Sequence, residues 1–162
     1  MNSDRTLASD WDIRELLPHA GRMCLLSELL HTEPEGIHAR VLISEQDLFY
    51  DAALGGVGGW VGIEYMAQAV AAWAGWQGRQ SEQAPKIGLL LGSRKYRCER
   101  ALFVPGETLE VRARREFQAD NGLGQFACEI LIDGQLVASA ALTVFGPTNP
   151  EQFLQGEGAQ DG

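Results

Sequence analysis

Residues 60–76 read WVGIEYMAQAVAAWAGW, an almost unbroken apolar stretch that holds two polar side chains, Glu64 and Gln68. Residues four apart lie on one face of a helix, one turn above the other. A carboxylate among apolar side chains is costly to bury unless it is paired, hydrogen-bonded or protonated, so such a group is often retained for chemistry. The alternative is that Glu64 lies at a helix edge and reaches water. The stretch therefore predicts a helix with a candidate catalytic carboxylate.

The sequence on either side of this helix has the pattern of β-strands. Strands are predicted at 24–32, 37–44, 86–98, 108–119, 125–132 and 135–145, and a glycine-rich irregular segment at 45–59. The pairs Asn121-Gly122 and Asp133-Gly134 separate the last three strands and are strong hairpin signals, so these strands predict an antiparallel meander. We expect the helix to end near Gly75 and Gly78.

These elements predict an α+β fold in which an antiparallel sheet wraps around one long central helix. We expect a flexible leader at residues 1–10, one folded domain at 11–146 and a flexible tail at 147–162.

Composition is that of an ordinary globular protein, with 45% hydrophobic and 22% charged residues in 162. The polar N-terminus contains no secretory signal, and residues 60–76 are too short and too polar to span a membrane. Cys24, Cys98 and Cys128 form no CxxC pair, which predicts buried reduced thiols in a cytoplasmic protein. No His or Cys spacing indicates a metal site.

Charge is distributed unevenly along the chain. The net charge is −9, yet residues 86–115 hold eight Lys or Arg and three Glu residues, a net +5 that leaves −14 for the rest. One interpretation is a solvated sheet face with scattered arginines. The other is a docking surface for an anionic partner, formed by Arg94, Lys95, Arg97 and Arg100. Nucleic acid is not expected as the partner, because the acidic chain lacks a broad basic surface.

Several motifs resemble a known family. LLPHAGRMCLLSELL (16–30), IEYMAQAVAA (63–72), FVPGETLEV (103–111) and IDGQLVASAALTVF (132–145) are similar to hot-dog-fold 3-hydroxyacyl-acyl-carrier-protein dehydratases of the FabZ-like type. The GGVGGW turn and the LLLGSRKYRC strand resemble a divergent branch, the dehydratases of aryl polyene and xanthomonadin-type pigment clusters. The resemblance covers residues 11–145 and implies a hot-dog homodimer, or a hetero-oligomer, with an acyl tunnel along the subunit interface.

The resemblance also implies roles for single residues. Glu64 matches the catalytic carboxylate, and Gly59 matches the glycine whose N–H holds the thioester carbonyl. A helix N-terminus favours developing negative charge, which supports the second match on physical grounds. Tyr50, Gln68 and Trp60 are expected along the substrate tunnel.

One position departs from the family pattern. The histidine expected fourteen residues before Glu64 is replaced by Tyr50. His19, in the LPH element, is the natural substitute, because imidazole is well suited to removing a proton near neutral pH. The alternative is that His19 caps a helix end. His31 and His38 flank a polar turn and are expected to be solvated.

The resulting hypothesis is a cytoplasmic enzyme that dehydrates 3-hydroxyacyl thioesters on an acyl carrier protein, without metal or organic cofactor. His19 would take the C2 proton and Glu64 would protonate the departing hydroxyl. Two alternatives remain open: a hot-dog thioesterase in which Glu64 activates water, and a catalytically weak acyl-binding subunit that completes a complex with a dehydratase or ketosynthase.

Overall fold

The computed structural model describes residues 23–80 and 89–145. The predicted leader and tail, and His19, lie outside this range. The strands are β1 (Glu28–Glu33), β2 (Gly36–Leu42), β3 (Tyr50–Asp51), β4 (Gly56–Gly58), β5 (Leu89–Cys98), β6 (Leu102–Phe103), β7 (Thr108–Gln118), β8 (Leu123–Ile132) and β9 (Gln135–Phe145). A 3-10 turn at Gly59–Val61 leads into helix α1 (Gly62–Gln80).

Six strands form the main sheet, in the order β1-β2-β7-β8-β9-β5, with every neighbouring pair antiparallel. Helix α1 packs against β2, β7 and β8, among other strands. Buried residues alternate along β7 and β8 with residues of the opposite face, as expected for a sheet that covers a core on one side. The predicted α+β fold, a sheet wrapped around one long helix, is confirmed.

The predicted meander of β7, β8 and β9 is also confirmed. In the β8–β9 turn Asp133 has φ of 51° and Gly134 has φ of 80°, and two consecutive positive values fit a two-residue hairpin that follows the twist of the sheet. The β7–β8 turn is longer. Gly122 has φ of 96°, and the Ala119 N–H donates to the Leu123 carbonyl at 2.7 Å.

Helix α1 runs further than predicted. It continues through Gly75 and Gly78, both buried, and ends at Gln80. Tertiary packing outweighs the low helix propensity of glycine here. The C-terminal half is anchored on the β1–β2 turn, because the Trp73 Nε1–H donates to the Glu33 carbonyl at 3.0 Å. The Trp73 ring also meets Phe126 of β8 edge-on, at 5.2 Å between centroids.

The segment predicted to be irregular contains short strands. β3, β4 and β6 form a second antiparallel sheet, in which Tyr50 pairs with Val57 and Gly58 pairs with Leu102. The two residues of β6 were not predicted, since so short a strand has no periodicity of its own. This small sheet carries the chain directly into the 3-10 turn, and it therefore fixes where α1 begins.

Candidate functional site

Glu64 lies in the first turn of α1 and is partly buried. Ile63 and Ala67 beside it are partly buried apolar residues, whereas Tyr65 and Met66 point into the core. Within the described residues, no hydrogen bond or ion pair engages the Glu64 carboxylate. It is therefore an unpaired carboxylate on the helix face that the sheet leaves uncovered. It is partly surrounded by apolar side chains, as a catalytic group would be, and it also reaches water, as a residue at the helix edge would.

The backbone just before α1 is held from both sides. The Gly59 N–H donates to the Ala101 carbonyl at 2.8 Å, and the Tyr96 hydroxyl donates to the Gly59 carbonyl at 2.6 Å. The Gly62 N–H also donates to that carbonyl and closes the 3-10 turn. Burial, followed by a hydrogen bond with Cys98, raises the pKa of Tyr96 well above its usual range, so its hydroxyl stays protonated and remains a donor.

Glycine is required at two positions of this turn by close approach rather than by dihedral angle. A Cβ on Gly59 would overlap the Arg100 carbonyl oxygen and would stand 3.1 Å from the Cys98 sulfur. A Cβ on Gly62 would overlap the Tyr96 hydroxyl and approach Ile130 at 3.1 Å. The segment from Cys98 to Ala101 thus lies directly on the start of the helix.

This geometry corrects the role predicted for Gly59. Its N–H already donates to Ala101 and extends the β4–β6 pairing, so it is not free to hold a thioester carbonyl. The next amide differs. In the described part of the chain, no backbone oxygen accepts the Trp60 N–H, as expected at the start of a helical turn.

Aromatic side chains frame this end of the helix. Trp60 is 65% exposed, and Phe49 meets it edge-on at 5.6 Å between ring centroids. Tyr50, which follows Phe49, is partly buried and packs against the core at the start of β3. Tyr50 pairs with Val57, two residues before Gly59. The position where a histidine was expected therefore lies near the start of the helix.

Gln68 has a role that the sequence did not specify. Its side chain is 3% exposed, its Oε1 accepts the Leu25 N–H at 2.8 Å, and its Nε2 donates to the Met23 carbonyl at 2.8 Å. This pair of bonds, here called the Gln68 clamp, fixes the segment before β1 to the middle of α1. Gln68 is thus engaged with backbone rather than with Glu64.

The four basic residues of the predicted docking surface have different surroundings. Lys95 and Arg97 are exposed on β5, where Arg97 pairs with Ser139 on the face opposite the helix. Arg100 lies beyond β5 and its guanidinium contacts both Glu107 carboxylate oxygens at 2.7 Å. Arg94 occupies the register position opposite Ala141, and its side chain lies outside the described set.

The Arg100–Glu107 pair was not foreseen from the sequence, although it braces the segment that covers Gly59. Burial raises the pKa of Glu107, but the Arg100 hydrogen bonds, the Val104 N–H and the Arg100 charge outweigh it, and the net pKa is lowered. Seven residues separate the partners across a turn, a spacing with no local signal. Only the Pro105-Gly106 turn between β6 and β7 hinted that the chain folds back there.

His38 and the cysteines also differ from expectation. His38 is partly buried, and its Nε2 lies 2.9 Å from Arg112 Nε and 3.1 Å from a Glu110 carboxylate oxygen. Cys128 is buried as predicted, whereas Cys24 and Cys98 are partly exposed.

Two further features can be stated for residues 23–80 and 89–145. No three His, Cys, Asp or Glu side chains cluster there in a way that could hold a metal ion. No helix in these ranges has the length and hydropathy needed to cross a membrane.

Comparison with known proteins places this geometry in a wider group. A chain of the dehydratase heterocomplex ApeI:P from Xenorhabdus doucetiae superposes with a TM-score of 0.80 at 29% identity, over 90% of this chain and 96% of that one. The PaaI protein from the phenylacetic acid degradation operon of E. coli gives 0.58 at 14% identity, over 73% and 81%. A hypothetical thioesterase with coenzyme A from Streptococcus pneumoniae TIGR4 gives 0.57 at 15% identity, over 74% and 86%.

The more distant similarities establish the fold, a hot-dog fold. The family is established by sequence: a family model of ApeP-like proteins, described as ApeP dehydratase, matches residues 11–155. The unpaired Glu64 at the start of the central helix lies within that match. The chain therefore belongs to the ApeP-like dehydratase family.

Proposed function

We propose that this protein removes water from a 3-hydroxyacyl thioester carried on an acyl carrier protein and yields the trans-2-enoyl thioester. The observation that carries the proposal is Glu64, a partly buried carboxylate without an ion pair in the described residues, in the first turn of an apolar helix. A base takes the C2 proton, the electron pair forms the C2–C3 double bond, and protonated Glu64 gives its proton to the departing 3-hydroxyl.

The donor for the thioester carbonyl is assigned to the Trp60 N–H in place of Gly59. Trp60 precedes Glu64 by one helical turn, and long side chains on a helix lean back over the turn before their own Cα. A carbonyl bound at the Trp60 N–H would therefore lie on the same side as the Glu64 carboxylate. The Tyr96 and Ala101 bonds to Gly59 support this arrangement, because they hold the preceding peptide in place.

His19 remains the proposed base. The Gln68 clamp fixes Met23 against α1, and the four Cα-to-Cα steps from Met23 back to His19 span at most roughly 14 Å. Glu64 lies one turn, about 6 Å, from Gln68 along the helix, so the imidazole has enough chain to reach the substrate beside Glu64. Tyr50 is the alternative, although a phenol is a poor resting base near neutral pH.

We further propose that the enzyme acts in the cytoplasm as a dimer and that exposed basic residues of β5 attract the acidic carrier protein. Arg94, Lys95 and Arg97 remain the candidates for this contact, because Arg100 is committed to Glu107. Charge on one exposed face raises the rate of encounter with an oppositely charged partner.

A second candidate function follows from a specific observation. Tyr50 occupies the usual histidine position and the Gly59 N–H is engaged, so two groups of the expected catalytic set are missing from their usual places. The relative from Xenorhabdus doucetiae belongs to a dehydratase heterocomplex. The chain would then serve as one subunit of such a complex, and a second hot-dog subunit would supply the base.

The test is to incubate the pure protein with 3-hydroxyacyl carrier protein and to record the mass of the carrier. Loss of water supports the dehydratase, and its absence in Glu64→Gln assigns the proton donor. Loss of the whole acyl group indicates a thioesterase and contradicts the proposal. No change alone, with loss of water once a second hot-dog dehydratase subunit is added, selects the second candidate. A folded Glu64→Gln protein that retains the wild-type rate would reduce Glu64 to a packing residue.

A further inference from the structure

The face of the sheet opposite α1 carries a groove of about 630 Å³ that the proposed reaction does not use. Its floor is made of small residues on two neighbouring strands, Ala127 of β8 and Ala141 of β9, which pair directly with each other. Basic side chains line both sides, Arg112 and Arg114 on β7 and Lys95 on β5. The volume is in the range of pockets that hold small molecules.

Two of these cations lack a counter-charge. Arg112 contacts Glu110 and His38, but within residues 23–80 and 89–145 neither Lys95 nor Arg114 forms an ion pair. Arg114 pairs with Ala127, which pairs with Ala141, so Arg114 stands one strand beyond the alanine floor and β5 stands one strand beyond it on the other side. The backbones that carry the two cations are therefore about 14 Å apart, three strand spacings. The alanine side chains between them are too small to fill the gap.

The backbone at Lys95 is strained in a way that directs its side chain. Lys95 has φ of 56°, a left-handed conformation that costs a residue with a Cβ about 1 kcal/mol. It occupies the bulge between Arg94 and Arg97, where β5 has one residue more than β9. The bulge turns Lys95 toward the groove and Tyr96 toward Gly59. Strain of this kind is commonly retained at ligand sites.

We propose that this groove binds the phosphate group of a small molecule, held between Lys95 and Arg114 above Ala127 and Ala141. Lysine and arginine are the side chains that bind phosphate most strongly, through charge-assisted hydrogen bonds. The carboxylates of Glu33 and Glu129 also line the groove and limit where the anion sits. Glu33 pairs with Gly36, which pairs with Arg114, so Glu33 lies two strand spacings, about 10 Å, from Arg114 on the side away from the alanines. Glu129 is two residues from Ala127 along β8, about 7 Å, so the phosphate occupies the alanine end and not the Ser139 end.

The experiment is a calorimetric titration of the purified wild-type protein with inorganic phosphate, with ADP and with adenosine, accompanied by amide chemical shifts. We expect saturable one-to-one binding of phosphate and ADP, no binding of adenosine, and shifts centred on Lys95, Arg114, Ala127 and Ala141. Tighter binding of ADP than of phosphate indicates that the rest of the groove contacts the larger molecule. Equal binding indicates recognition of the phosphate group alone.

Variants separate a site from a general charge effect. Lys95→Gly and Arg114→Ala should each weaken binding about tenfold or more, and glycine also suits the left-handed backbone, so loss of folding does not confuse the result. Lys95→Arg should retain binding, and Glu129→Gln should strengthen it. Arg40→Ala is the matched control, because it removes the same charge from β2 at a residue that pairs with Glu28 outside the groove. Absence of saturable phosphate binding, or an equal loss in Arg40→Ala, would overturn the proposal.

Discussion

The Tyr96 hydroxyl donates a 2.6 Å hydrogen bond to the Gly59 carbonyl, and the hydroxyl oxygen occupies the space where a Cβ of Gly62 would stand. One side chain of the edge strand β5 thus both supports the start of α1 and fixes the residue types allowed there. The proposed reaction site depends on this contact, since the Trp60 N–H and Glu64 follow from where the helix begins.

Gly62→Ala should destabilise the protein by about 1–3 kcal/mol, the usual range for forcing extra atoms into a packed site. Tyr96→Phe removes the hydroxyl that the new methyl group meets, so in the Tyr96→Phe background the same substitution should cost clearly less. Part of the penalty remains, because Ile130 and the Tyr96 ring carbon also lie within 3.3 Å of the added Cβ. Urea unfolding of the four proteins in this cycle gives the coupling. Strictly additive costs would mean that the hydroxyl is not the obstacle.

The identity of the base is tested by His19→Ala and Tyr50→Phe. A positioned general base contributes about 10²–10⁴-fold, so His19→Ala should lose a factor in that range in kcat. Tyr50→Phe should lose less, because it keeps the ring that packs against the core. Single-turnover mass spectrometry of the carrier-bound product measures both rates. If His19→Ala is as fast as the wild type, the base is Tyr50, Asp51 or a residue of a second subunit.

Docking of the carrier protein is tested on Arg97, which lies on β5 and forms no ion pair in the described part of the chain. Arg97→Glu should raise KM for carrier-bound substrate and leave KM for a small soluble thioester unchanged. The difference should shrink with added salt, since exposed charges are screened beyond about 8 Å at physiological ionic strength. Arg40→Glu on β2 is the control for net charge. If KM for carrier-bound substrate changes neither in Arg97→Glu nor with added salt, the docking surface lies elsewhere.

The Gln68 clamp predicts a contrast between two substitutions. Gln68→Met keeps the length of the side chain but leaves the Met23 carbonyl and the Leu25 N–H without their buried partner, at a cost of about 1–3 kcal/mol for each group that stays dry. Gln68→Glu keeps the acceptor for Leu25 and turns the donor to Met23 into a second acceptor. Relative to wild type, Gln68→Glu should therefore be less stable above pH 5, where the carboxyl is ionised. Below pH 5 the carboxyl is protonated and can donate again, so the loss of stability should be smaller. Equal stability of Gln68→Glu at pH 4.5 and pH 7.5, each relative to wild type, would contradict this role.

Cys128 predicts sensitivity to alkali. Burial, with the charges of Glu116 and Glu129, raises the pKa of this thiol from 9.0 to about 12. As pH rises, the thiol ionises in the unfolded chain before it does so in the folded protein. The stability that the protonated thiol contributes is therefore fully present below pH 9 and is lost as pH rises toward 12, by up to about 1.4 kcal/mol per pH unit. The free energy of unfolding between pH 8 and 10.5 should fall less steeply in Cys128→Ala. Cys24→Ala, at a partly exposed thiol, should keep the wild-type slope.

Local patterns predicted the parts of this fold that depend on local geometry. Asp133-Gly134 adopts the positive φ angles that the pair indicates, and residues 60–76 are helical because their apolar face has a core to cover. The end of the helix was misplaced, since packing of Gly75 and Gly78 is a tertiary effect. The engaged Gly59 N–H and the Arg100–Glu107 pair were unforeseeable for a related reason: each joins residues brought together only by sheet pairing or a turn. Lys95 in a left-handed conformation contradicts its own propensity and so left no trace in the sequence.

The close fit of Gly59 against Arg100 and Ala101 also bears on the order in which the chain folds. These partners are some forty residues apart in sequence, and the loop between them includes all of α1. Contacts of such separation form late, because the entropy of loop closure must first be overcome. The body of α1 can collapse early onto β2, which precedes it closely in the chain, whereas its first turn reaches its final position only after β5 and β6 have docked. The end of the helix that carries the proposed site is therefore the last part of it to be completed.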